Sequence, residues 1–303
     1  MTVSIVIPVR EATARLTTCL EALKAQRVSP DQVIVLCART RPPPAVQARW
    51  PQVQFLRCPP PASFCRAVNH GIAATRAPWV LVLNDDVTLA PDFLEQLFTH
   101  LPSDERIGMA CGKMLSADGS RIDAAGQFLS RARTARDRGH GSPRIERFNT
   151  PGFVFCAPGS AALYRRRMLE ALTVDGQYFD ERFGCYLEDL DLGWRAQQAG
   201  WRAYYVPQAT ARHVRGATAK TRAPAHHWLR RYYLPQLAPR LQARYVLNRY
   251  RLMAAHDTWL RLLRDLPWII GYEAALWSYL LVCEPKTVRL ICRAMSSARG
   301  RGR

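Results

Sequence analysis

The opening third of the chain alternates two periodicities, and that alternation narrows the fold more than any other feature. Val3-Ser4-Ile5-Val6-Ile7-Pro8-Val9 is a β-branched run suited to a strand buried on both faces, and Leu16, Leu20 and Leu23 follow at helical spacing within 12–24. The pattern then repeats. Residues 32–37 and 53–56 read as strands, 64–75 as a helix, and 79–83 as an apolar strand that stops at Asn84-Asp85-Asp86. Strands apolar on both faces need helices on both sides of their sheet, so the sequence predicts an α/β domain with a mostly parallel sheet. Two acids then sit at the carboxyl end of a strand, the edge of such sheets where ligands bind.

Asn84-Asp85-Asp86 offers hard oxygen ligands on a tight turn, as a Mg²⁺ or Mn²⁺ bridging a diphosphate requires. The same acids would serve equally as caps for the turn and helix that follow. A second group, Glu188, Asp189 and Asp191, lies in an apolar-aromatic context that begins at Phe179. Three acids so close repel one another unless a cation, a catalytic demand or a helix N-terminus holds them. On a helix Glu188 and Asp191 share a face and Asp189 points elsewhere. Gly159, Ser160, Ala161 and Ala162 allow close backbone approach to a ligand, or a tight turn into a strand. His213 stands beyond a strand candidate at 203–206, and a lone histidine there is more often structural than a ligand.

Charge is unevenly spread. The chain of 303 residues carries a formal net charge of +19, and residues 219–303 hold 16 basic against 4 acidic side chains. Such a field suits nucleic acid, an anionic membrane surface or a phosphorylated substrate. Nucleic-acid binding ranks below the others because it leaves the ordered carboxylates without a purpose. After Pro207 the strand–helix alternation gives way to helical patterns in which cationic and aromatic residues interleave, at 226–233 and 244–251, as in helices lying on a membrane. Residues 259–283 are more apolar, but Arg261, Arg264, Asp265, Pro267 and Glu273 interrupt them, so they read as a poor spanning helix. Residues 131–147 are polar and glycine-containing and read as a mobile loop. Nine cysteines without CxxC pairs argue against a disulfide framework or a zinc knuckle and favour a reduced, cytosolic setting. The N-terminus has neither a basic n-region nor a small-residue cleavage site, so it reads as a strand.

Taken in order, the stretches Val3-Ser4-Ile5-Val6-Ile7-Pro8-Val9, Asn69-His70-Gly71-Ile72-Ala73-Ala74, Leu83-Asn84-Asp85-Asp86, Gly159-Ser160-Ala161-Ala162-Leu163-Tyr164-Arg165 and the segment from Phe179 to His213 resemble the family 2 glycosyltransferases of the GT-A fold, in particular the bacterial rhamnosyltransferase-like members. The resemblance covers about residues 3–215, more loosely to 285. It implies a GT-A (Rossmann-like) catalytic domain over 1–215 and a basic, aromatic helical extension over 216–303 for contact with membrane, acceptor or a second subunit. It implies that Pro8, Val9 and Arg10 line the nucleotide pocket, that Asn69, Gly71, Asn84 and Asp85 lie at the donor, and that Asp86 and His213 hold Mg²⁺ or Mn²⁺. Asp189 falls at the catalytic base, with Glu188 and Asp191 orienting it, and Gly159 and Ser160 in the donor or acceptor loop.

One departure stands out: the second strand ends in Cys37-Ala38-Arg39-Thr40, where the family carries a polar pair that reads the base. The implied activity is inverting transfer from a nucleotide-diphosphate sugar, dTDP-rhamnose ahead of a UDP-sugar, to a glycan or polyprenyl-diphosphate-linked acceptor of cell-surface polysaccharide. The implied location is the cytoplasm, peripheral to the inner face of the plasma membrane. A non-catalytic sugar-nucleotide binder is the alternative, and a homo-oligomer an alternative use of the extension.

Overall fold

The computed structural model describes residues 2–11, 13–39, 44–215 and 234–299. The aromatic-basic stretch 226–233 and Thr40 lie outside the described residues. The strands are β1 (Val3–Val9), β2 (Gln32–Cys37), β3 (Val53–Arg57), β4 (Trp79–Leu83), β5 (Val87–Leu89), β6 (Ile107–Ser116), β7 (Ile122–Ala124), β8 (Gln127–Leu129), β9 (Ala135–Asp137), β10 (Gly152–Val154), β11 (Ala161–Arg165) and β12 (Arg202–His213). The helices are α1 (Ala14–Lys24), α2 (Pro44–Arg49), α3 (Phe64–Ala73), α4 (Phe93–Thr99), α5 (Arg166–Ala171), α6 (Glu188–Gln198), α7 (Pro239–His256), α8 (Trp259–Cys283) and α9 (Pro285–Arg299). They divide into two compact units: one of residues up to Phe128 with Arg136–Val214, the other of Leu129–Ala135 with the chain from Arg215 onward.

In the first unit the strands run in the order β10-β12-β6-β11-β4-β1-β2-β3, with β5 on β12 and β7 on β6. β3, β2, β1 and β4 are mutually parallel, as the β-branched, doubly buried sequences of β1, β2 and β4 predict, with the half-exposed β3 at the edge. β11 enters antiparallel between β4 and β6, so the sheet is mixed but mostly parallel. Val3, Ile5, Ile7, Leu81, Leu83 and Leu163 are at most 2% exposed and form its core with Leu16, Leu20 and Leu23 of α1. Ser63 caps α3 by accepting a hydrogen bond from the Arg66 backbone N–H.

Two expectations need correction. The strand before His213 is not confined to 203–206: β12 runs for 12 residues to His213 itself, pairing parallel with β6 on both sides of a register shift between Val206 and Thr210. The bulge is a backbone feature, invisible to hydropathy because Pro207 and Gln208 look like a strand end. Gly112 faces it where a Cβ would fall 2.2 Å from the Ala209 carbonyl oxygen, so only glycine lets the two strands meet there. The second correction concerns 131–147, which is no free loop. It contains β9, paired with β8, and a 3₁₀ turn at Ile145–Phe148, while Arg133 and Thr134 are buried.

Arg133 belongs to the second unit, where it replaces what a hydrophobic side chain would do elsewhere. Its guanidinium is 2.6 Å from Asp257 and 2.8 Å from Asp265, and all three side chains are nearly inaccessible. Arg249, fully buried, donates to the Ala132 carbonyl and to Glu273. Ala243 and Val246 of α7, Leu276 and Leu280 of α8, and Ile291 of α9 make the apolar centre. α8 is uninterrupted through Pro267 and starts at the Thr258 cap. By length and composition alone it is long and apolar enough to cross a membrane, and 17% of its most apolar window is buried. Its acids Asp265 and Glu273 are taken up by Arg133 and Arg249 rather than turned outward.

Candidate active site

The acids at the end of β4 and at the start of α6 meet through a short run of backbone. Beyond Leu83 the chain turns, and the Asn84 N–H donates to the Ser160 carbonyl (2.9 Å). The adjacent Gly159 N–H donates to Asp189 Oδ2 (2.9 Å), and the Leu190 N–H donates to Asp189 Oδ1 (2.8 Å). Each oxygen of the Asp189 carboxylate thus holds one backbone donor and keeps capacity for another. Burial pushes the Asp189 carboxyl up; the two N–H groups pull it down and Asp137 pushes it up, leaving it raised.

The entrance to α6 is strained. Gly184, Tyr186 and Leu187 all have positive φ, 69°, 71° and 68°, and two of them are bulky residues for which this region is costly. That turn sets Asp189 in the first turn of α6, where the helix dipole favours a negative charge. Gly193 seats the helix, because a Cβ there would lie 2.4 Å from that of Cys156.

At the other end of the run, Asp86 and His213 come together across β5 and β12, whose register sets His213 opposite Val87. His213 Nε2 is 3.2 Å from Asp86 Oδ1, and its Nδ1 is 2.9 Å from Asp123 Oδ2. Asp123, from β7, fixes which ring nitrogen faces Asp86. Burial lowers the His213 pKa but the two carboxylates outweigh it and raise it to about 9. Asp85 is pushed up to about 6, by burial first and then by the Asp86 carboxylate, against the pull of Arg15. Among the described residues no group of three or more His, Cys, Asp and Glu is arranged to hold a metal. Asp86 and His213 still fit a divalent ion of the Mg²⁺ class, which takes one or two protein ligands and fills its shell from phosphate and water.

Other candidates are placed differently. Asn69 spends its amide on Phe179, accepting from its N–H and donating to its carbonyl, both at 2.8 Å, so it clamps the segment leading to α6. Gly71 is buried where a Cβ would fall 2.4 Å from Val6 Cγ1, which makes it a packing glycine between α3 and the sheet. Asp191 turns onto Arg195 (3.0 Å), whose Nη1 and Nη2 donate to the Leu172 and Tyr178 carbonyls, so it braces the preceding loop. Glu188 is buried beside it, 7% exposed. Pro8, Val9 and Arg10 are at the carboxyl end of β1, with Val9 buried and Arg10 exposed. Asp123 and Arg15 carry no sequence signal of their own; pairing β7 against β6 and packing α1 near β4 bring them in.

Comparison with known proteins identifies the family. Residues 2–233 match the model of the family described as "Glycosyltransferase like family 2". A curated relative from Mycobacterium tuberculosis, an N-acetylglucosaminyl-diphospho-decaprenol L-rhamnosyltransferase, is 30% identical over 264 residues, 79% of either chain. Among solved structures, the mannosyltransferase PcManGT from Pyrobaculum calidifontis, in complex with GDP-Man and Mn²⁺, superposes with a TM-score of 0.55 at 14% identity over 98% of this chain and 75% of that one. GalNAc-T7 with UDP, GalNAc and Mn²⁺ gives 0.57 at 13% identity over 70% of this chain, which spans 44% of that structure. S. aureus TarS 1-349 in complex with UDP-GlcNAc gives 0.54 at 13% identity over 85% of this chain and 68% of that one. The sheet order, the acids at its ligand-binding edge and the family match together make this chain a member of the family 2-like glycosyltransferases.

Proposed function

We propose that the chain transfers a sugar from a nucleotide-diphosphate donor to a hydroxyl of a lipid-linked glycan acceptor with inversion at the anomeric carbon, and that Asp189 is the base. The observation that carries the reading is the Asp189 carboxylate, held by the Gly159 and Leu190 N–H groups with its basicity raised by burial, one backbone link from the Asn84-Asp85-Asp86 turn. A sugar hydroxyl is a weak nucleophile at neutral pH, and a positioned base contributes about 10²–10⁴-fold. Asp189 takes the hydroxyl proton as the acceptor oxygen bonds to the anomeric carbon, and the bond to the diphosphate breaks with its electron pair leaving on the diphosphate. Attack from the face opposite the leaving group inverts the centre in one displacement.

Asp86 and His213 would hold Mg²⁺ or Mn²⁺, which when bound supplies Lewis-acid stabilisation of the departing diphosphate. Asp123 keeps the His213 ring in register for that task, and a cation at Asp86 competes with the proton the raised pKa places on the ring. Asp85, Asn84, Pro8, Val9 and Arg10 border the donor, with Gly159 and Ser160 between donor and base. The relative's printed activity, L-rhamnosyl transfer to an N-acetylglucosaminyl-diphospho-decaprenol, supports a rhamnose donor and a polyprenyl-diphosphate acceptor; within this reading the donor is dTDP-rhamnose ahead of a UDP-sugar, and the reaction takes place at the cytoplasmic face of the membrane. Incubation with a panel of nucleotide sugars, with and without Mn²⁺, tests the reading. Metal-dependent release of nucleoside diphosphate from one donor, with product of inverted configuration by NMR, is the expected result; release from none of the panel, or retention, would overturn it.

A further inference from the structure

The charges of the C-terminal unit are sorted by sign. Residues 219–303 contain four acids, and all are turned inward: Asp257 and Asp265 onto Arg133, Glu273 onto Arg249, Tyr250 and Trp277, and Glu284 at 6% exposure. Arg261, Arg264, Lys286, Arg289 and Arg293 are exposed. The outward charge of this unit is therefore positive.

α8 also shows an apolar face. Leu260, Leu263, Ile270, Leu281 and Val282 are 57–81% exposed, and the single charged residue in 266–283 is the inward Glu273. That stretch is about 27 Å long at 1.5 Å per residue. Its opposite face, Ile269, Leu276 and Leu280, is buried, the last two against α7 and α9. At one end Arg131 stacks 4.3 Å over the Trp268 ring, a cationic-aromatic pair of the kind found at lipid headgroups.

We propose that the exposed face of α8 is a docking surface for an anionic lipid bilayer, on which the helix lies flat without crossing it. Nucleic acid would answer the basic groups but gain nothing from exposed leucine, isoleucine and valine. A second copy of the chain would cover the apolar face but oppose two basic rims. An anionic bilayer satisfies both, taking the apolar face about 5–10 Å into the acyl boundary while arginines meet phosphate. The flat orientation follows from the inner stripe, since crossing would pull Leu276 and Leu280 from their cluster and Glu273 from Arg249. This surface is independent of the transfer chemistry.

The full chain, without substrate, is floated with phosphatidylcholine vesicles with and without phosphatidylglycerol, alongside Ile270→Glu/Leu281→Glu and Arg289→Glu/Arg293→Glu variants. Circular dichroism and sedimentation report their folding. The parent floats with phosphatidylglycerol vesicles and is released by salt, while the first variant loses about tenfold or more in vesicle partitioning. The second variant retains weak binding that phosphatidylglycerol no longer strengthens. The proposal is overturned by a parent that stays with the soluble fraction at low salt, or by a folded Ile270→Glu/Leu281→Glu variant that floats like the parent. It is equally overturned if that variant turns a dimer into a monomer by light scattering and no form binds vesicles. Donor turnover is measured separately, so a vesicle failure leaves the transferase reading standing, and a turnover failure leaves this one.

Discussion

The two units use carboxylates in opposite ways. In the first, Asp189 is held by backbone N–H groups and Asp86 by a histidine, so the acids keep oxygen lone pairs for other partners. In the second, Asp257 and Asp265 share the buried Arg133 and Glu273 bonds to Arg249, so charge is consumed in holding helices to the 129–135 segment. A backbone N–H, or a histidine that can give up its proton to an incoming cation, leaves a carboxylate available, whereas a guanidinium that stays charged neutralises it. Residue type alone does not separate a site from a strut; the partner does.

The comparison can be broken by substitution. Asp86→Ala, or chelation of divalent ions, should cost several kcal/mol of transition-state stabilisation, about 10³-fold or more in turnover, with Mn²⁺ restoring the chelated parent but not the variant. Asp189→Asn should fold as the parent does and lose about 10²–10⁴-fold in transfer; near-parental activity would remove Asp189 from the mechanism.

On the other side, Arg133→Met should leave the buried Asp257 without its cation and Asp265 with the exposed Arg264, and destabilise the helical unit by about 3–5 kcal/mol, read as a lower denaturant midpoint. The same latch sets an acid limit. The Asp265 carboxyl is held down to about 2 by Arg264 and Arg133 against its burial, so its contribution is complete above its ordinary value of 3.8 and is lost as pH falls through about 2. Asp265→Asn should flatten that acid step in a thermal-melt series. The smallest effect tests the link between the classes: Asp123→Asn should weaken Mn²⁺ binding about 10–100-fold by electron paramagnetic resonance without changing the denaturant midpoint by more than about 1 kcal/mol. Unchanged affinity would make Asp123 a strut like Asp265.

Much of the first unit was legible in advance because period and burial speak through local sequence. β1, β2 and β4 carry their boundaries in runs of valine, isoleucine and leucine, and Asp86, Asp189 and His213 follow from motifs with a fixed order. The structural partners of Asn69 and Gly71 were not legible for a common reason: a polar amide and a glycine beside a donor motif look the same whether they meet a ligand, a backbone or a neighbouring side chain. Pairing with Phe179 and packing on Val6 are decided across more than 60 residues of sequence. The stretch 131–147 misled because arginine is read as solvent-loving, and Arg133 is buried through acids more than 120 residues away.

The sequence by itself determined the strand–helix alternation, the two acidic motifs, the basic C-terminal third and the family, since each depends on residues near one another in the chain or on their order. Tertiary structure decided which acids stay chemically available. It bends β12 past its bulge to bring His213 to Asp86, sets Asp123 behind the ring, strains the turn at Tyr186 and Leu187 to aim Asp189, and spends Asp191 on Arg195. A carboxylate's role depends on the few ångströms around its oxygens, and those neighbours come from strands and helices that the chain brings together only on folding.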